Sequence, residues 1–83
     1  MLDHNGNILK IGDYVTTFYK SGDNIYVCDG EIVEFQKVRY KLFSKEYVDR
    51  AVISINLYPG TIDRFEIVER KSDEIVKSTK LNK

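Results

Sequence analysis

Two chain reversals fall within the first thirteen residues, at Asn5-Gly6 and Gly12-Asp13. Asn-Gly tolerates positive φ at both central positions of a two-residue turn, which suits a tight hairpin. Gly12-Asp13 then releases the chain into Tyr14-Val15-Thr16-Thr17-Phe18-Tyr19, a β-branched and aromatic run. Turns this dense leave no room for a long helix, and they predict a small all-β barrel.

Strand alternation extends this reading along the chain. A first strand is expected over about Asp13 to Tyr19, with Val15 inward and Thr16 and Phe18 on the opposite face. Lys20 to Asn24 reads as a loop, Ile25 to Cys28 as a short strand and Glu31 to Gln36 as a firmer one. Asp29-Gly30 between them is either a two-residue hairpin turn or a bulge where one long strand bends. From Val38 to Phe43 the pattern alternates cleanly, with Val38, Tyr40 and Leu42 on one face and Lys37, Arg39 and Lys41 on the other. Ser44 to Tyr47 is a hairpin loop, and Asp49 to Leu57 is the returning strand. Pro59-Gly60 ends that strand, because proline cannot donate to a ladder. Thr61-Ile62-Asp63 fits one helical or 3₁₀ turn, and Phe65 to Val68 forms a closing strand.

Five or six short antiparallel strands favour closure, which removes exposed edges. The expected core comprises Val15, Ile32, Tyr40, Leu42, Ile53, Ile55, Phe65 and Ile67. The domain is expected to span residues 1–70. Residues 71–83 are lysine-rich and lack aromatics. Ser72 caps at most a turn or two of helix there. Ile75, Val76 and Leu81 are too few to offset the ordering entropy, so this tail is expected to fray.

The order Asp3, Gly6, Leu9, Gly12-Asp13 and Val15, followed by Gly30-x-Ile32-x-x-Phe35 and a proline-led turn, resembles the small SH3-like barrels. The likeness covers about residues 3–69. It is nearest to short open reading frames of bacteriophages and mobile elements, and more distant from KOW and Tudor-type modules. The glycines and apolar positions that carry it are fold markers. The resemblance implies a barrel from a phage-like element, with binding rather than chemistry as its role.

Composition narrows the function classes. An apolar fraction of 42% with balanced charge is too high for a disordered chain. Thirteen basic and thirteen acidic side chains cancel, which argues against a general polyanion binder. Cys28 is the one cysteine and has no disulfide partner in the chain. His4 is the one histidine and sits beside a turn, so a Cys–His pair would rest on it alone. One histidine and one cysteine fall short of a metal site, and neither a calcium loop nor a glycine-rich phosphate cradle occurs. No apolar run approaches the roughly 18–20 residues of a membrane helix, and the polar opening predicts no signal peptide. The expectation is a non-enzymatic cytoplasmic protein of a bacterial host, without cofactor or metal, present as a monomer or a small homo-oligomer.

Two surfaces are candidates for binding. Residues 23–34 hold Asp23, Asp29, Glu31 and Glu34 and no basic side chain, a balance of −4. Residues 37–50 carry a balance of +3, with Lys37, Arg39, Lys41 and Arg50 as candidate contacts to phosphate or to an acidic partner. Alternatively, the cations make a solvated strand face that pairs across its hairpin and discourages aggregation. Tyr26, Tyr47 and Tyr58 fall at or beside loops, where a rigid ring with a hydroxyl suits recognition. They serve equally well as caps on the ends of the barrel. The favoured function is docking onto a host or viral protein as an inhibitor or accessory factor. The alternative is nucleic-acid binding, with the cations on phosphates and Tyr47 or Tyr58 stacked on a base.

Overall fold

The computed structural model describes residues 1–39, 47–57 and 65–78. Five antiparallel strands form one sheet: β1 (Tyr14–Ser21), β2 (Asn24–Arg39), β3 (Tyr47–Asn56), β4 (Phe65–Lys71) and β5 (Val76–Lys77). Their order across the sheet is β4-β3-β2-β1-β5, and a single 3₁₀ turn (Ser72–Glu74) links β4 to β5. The all-β expectation therefore holds. The two edges are not joined by a ladder among the described residues, so the sheet is open where a closed barrel was expected.

Both early reversals form, each centred one residue before the expected dipeptide: the Gly6 amide donates to the Asp3 carbonyl and the Asp13 amide to the Lys10 carbonyl, both at 3.1 Å. Gly6 and Gly12 take φ of +84° and +92°, and Leu2 bridges Ile8 across the first reversal. The β1–β2 hairpin pairs Ser21 with Asn24 and turns through Gly22-Asp23.

β2 runs unbroken through Asp29-Gly30, which rules out the hairpin turn, and the ladders keep a regular register at both residues. Gly30 pairs with Val15 on one side and Ile55 on the other. A Cβ on Gly30 would lie 2.6 Å from Ile53 Cγ2 and 2.7 Å from the Ser54 carbonyl oxygen. The missing side chain therefore lets β3 and its isoleucines press against β2 at Gly30. The register irregularity itself falls further on, between Ile32 and Glu34.

The core is one cluster of Leu9, Val15, Ile32, Ala51, Ile53, Ile55 and Ile75. Val15, Ile32, Ile53 and Ile55 match expectation, whereas Phe65 and Ile67 are 60% and 61% exposed. The pairing of Val68 with Ile53 sets the parity of β4, so its odd-numbered residues face away from the core. Tyr40 and Leu42 lie outside the described residues, as does the expected turn at Thr61-Ile62-Asp63.

The segment expected to fray is built into the fold as far as Ser78. Ile75 is fully buried, and Val76 and Lys77 pair with Thr16 and Val15. Asp3, itself buried, anchors this segment. Its carboxylate accepts the Lys77 amide at 2.8 Å, the Asn5 and Asn7 amides at 2.9 and 2.7 Å, and the Asn7 side-chain amide at 3.1 Å. The His4 amide also donates to the Ile75 carbonyl at 2.8 Å. A polar average over the segment concealed one core isoleucine and the backbone bonds that hold it. Residues 79–83 lie outside the described residues.

Candidate functional site

Cross-strand pairing carries a row of side chains across the sheet on the face opposite Val15 and Ile55. Tyr14 pairs with Glu31, Glu31 with Ser54, and Ser54 with Ile67. Next to this row Thr16 pairs with Asp29, and its hydroxyl donates to Asp29 Oδ1 at 2.7 Å, which orients that carboxylate. A groove of about 640 Å³ runs over this face. Tyr14, Val27, Val33, Leu57 and Phe65 supply its apolar walls. Asp29 and Glu31 supply its carboxylates, and no lysine or arginine lines it among the described residues. Val27 is 80% exposed and Phe65 60%, so the walls are open to a partner rather than folded into the core.

The sequence leaves Asp29-Gly30 open between a hairpin turn and a bulge, and that ambiguity conceals this groove. Read as one strand, Ile25, Val27, Asp29 and Glu31 alternate onto a single face, apolar at one end and acidic at the other. The signal was present in the period of two, but only for an undivided strand.

The structure disperses the basic residues. Lys37 sits opposite Asp49, and Arg39 opposite Tyr47. Arg50, adjacent to Asp49 on β3, points to the other face of the strand, where it pairs with Gln36 and comes within 4.0 Å of Glu69. Lys41 lies outside the described residues. The tyrosines are likewise separated. Tyr26 pairs with Tyr19 near the β1–β2 turn, and Tyr47 stands opposite Arg39 at the far end of β2. Both are exposed, and neither lines the groove. Tyr58 lies outside the described residues.

Cys28 is half-buried against the core, with Sγ 3.7 Å from the Thr17 carbonyl oxygen. Burial pushes its thiol pKa up; Arg70 opposes that shift and Asp29 adds to it. A thiol held in its protonated form is a small hydrophobe, not a nucleophile. His4 is exposed in the first turn. Among the described residues no cluster of histidine, cysteine and carboxylates is arranged to hold a metal ion, and no helix is long and apolar enough to cross a membrane.

No family model, curated protein or solved structure matches this chain.

Proposed function

We propose that this protein is a non-enzymatic binding module that docks onto another protein through the groove on β1, β2 and β3. One observation carries the reading: the exposed side chains of Tyr14, Val27, Val33 and Phe65 line one groove together with two carboxylates. Contiguous exposed apolar surface bordered by polar groups is the usual signature of an interaction site. The tyrosine and phenylalanine at its margins are rigid, amphipathic or apolar anchors that lose little entropy on contact. The role of inhibitor or accessory factor against a host or viral protein rests on the resemblance read from the sequence alone. Nucleic-acid binding is the less favoured reading, since Lys37 faces Asp49 and Arg50 approaches Glu69.

Affinity capture from bacterial lysate, with and without nuclease, tests this reading when wild type is compared with Val27→Asp and Phe65→Asp. Both substituted positions are exposed, so the fold should tolerate the charge. The expected result is a protein retained by wild type, insensitive to nuclease and lost from both variants. Retention that disappears on nuclease treatment, or that is equal in all three proteins, would overturn the proposal.

A further inference from the structure

The charge of the groove identifies the chemistry of its occupant. Its lining contributes Asp29 and Glu31 and no cation among the described residues, although the whole chain is neutral. Asp23 and Glu34 lie on the same strand and its turn, so the segment 23–34 has a balance of −4. The hydrogen bond that the Asp29 carboxylate accepts from Thr16 comes from an uncharged hydroxyl. Along one strand face Val27, Asp29 and Glu31 stand two residues apart, so the two carboxylates are neighbours beside the apolar wall. An extended segment whose one face carries an apolar side chain followed by two cationic ones matches that order, because its own side chains also repeat on one face every two residues.

We infer, on the reading of the groove as a protein-docking site, that its occupant is an extended lysine- or arginine-bearing segment of the partner protein. Its apolar side chains pack on Val27, Val33 and Phe65, and its cations meet Asp29 and Glu31. The lysine and arginine stems are themselves apolar, so each cationic residue serves the walls and the carboxylates together. Attraction of this kind steers encounter and selects the partner more than it raises affinity, so it should depend on ionic strength.

The test is a nuclear magnetic resonance titration of the ¹⁵N-labelled full chain with two probes, the acetylated pentapeptides leucine-serine-lysine-serine-lysine and leucine-serine-glutamate-serine-glutamate. The lysine probe should shift the amides of Val27, Asp29, Glu31 and Ser54, and its affinity should fall as salt rises. The double variant Asp29→Asn, Glu31→Gln should weaken it about tenfold while keeping the wild-type melting temperature. Val27→Ala should weaken it as well, with no change in salt dependence. Equal binding of the two peptides in the groove would overturn the cationic assignment and leave the docking reading standing. Shifts of the lysine probe confined to other surfaces, or no shifts, would also overturn the assignment. The docking reading is judged separately by the capture experiment.

Discussion

The Arg70 guanidinium lies 4.3 Å from the centre of the Phe18 ring and donates a 2.8 Å hydrogen bond to the Phe18 carbonyl oxygen. Arg70 belongs to β4 at one edge of the sheet, whereas Phe18 is on β1 next to the other edge. Among the described residues β5 pairs with β1 at Val15 and Thr16, and the arginine occupies a β1 carbonyl beyond that ladder. One side chain thus ties together strands that share no ladder, and it obstructs edge-to-edge pairing with another chain.

Arg70→Ala is therefore expected to cost about 1–3 kcal/mol, from a lost charge-assisted hydrogen bond and a lost cation–π contact. It should also raise self-association by uncovering the β1 edge. Arg70→Lys should recover part of the stability, since an ammonium cannot both lie flat on the ring and donate in a fixed fork. Urea unfolding and sedimentation velocity read the two effects. Unchanged stability in Arg70→Ala would show that the contact contributes nothing to the fold.

Gly30→Ala should destabilise by about 1–3 kcal/mol, the range for overpacking. Ile53 and the Ser54 backbone already occupy the space that the methyl group would enter. The second contact is with backbone, so it cannot be relieved by a rotamer change. Serine at the same site should behave no better. Wild-type stability in Gly30→Ala would mean that β2 and β3 separate there at little cost.

Asp3 gives the fold an acid sensitivity. Burial works to raise its pKa, but the Lys77 and Asn7 amides, the Asn7 side chain and the Asn5 amide together hold it below the ordinary value of 3.8. A depressed carboxylate pKa contributes stability that is present above the unfolded value and lost as pH falls through the folded one. Wild-type stability should therefore drop in that acidic window, and Asp3→Asn should flatten the drop. At neutral pH the same variant should lose about 1–3 kcal/mol, because its amide nitrogen turns a donor toward donors. Parallel pH profiles for the two proteins would contradict this role.

Ile75 tests the carboxy-terminal segment. Ile75→Ala should cost about 2–5 kcal/mol and Ile75→Val about 0.5–1.5 kcal/mol, as for other fully buried isoleucines. Removing everything after Lys71 should abolish or sharply weaken cooperative unfolding, since it deletes Ile75 and β5 together. A truncated chain that melts with the full-length protein would restore the view of this segment as a loose tail.

Local chemistry made much of this fold legible in the sequence. The chain reverses at Gly6 and at Gly12, and Val15, Ile32, Ile53 and Ile55 are buried, because turn geometry and period-two alternation are local properties. Parity was less secure. Phe65 and Ile67 were expected inside, but the pairing of β4 with β3 is decided by register, which no short window contains. Ile75 escaped because its burial depends on Asp3 and His4, some seventy residues earlier in the chain. The groove escaped for a related reason, since its walls come from β1, β2, β3 and the start of β4 and meet only after the sheet assembles.

The central claim is that the partner sits on the β1–β2–β3 face, and crosslinking from single sites tests it most directly. A photoreactive p-benzoylphenylalanine replaces Val27 in one protein and Lys37 in another, both exposed positions on β2. Irradiation in the native host should yield a discrete crosslinked protein from position 27, none from position 37, and loss of the product when Phe65→Asp is added. Crosslinking from position 37 alone, or from neither position, would contradict the assignment of the docking face.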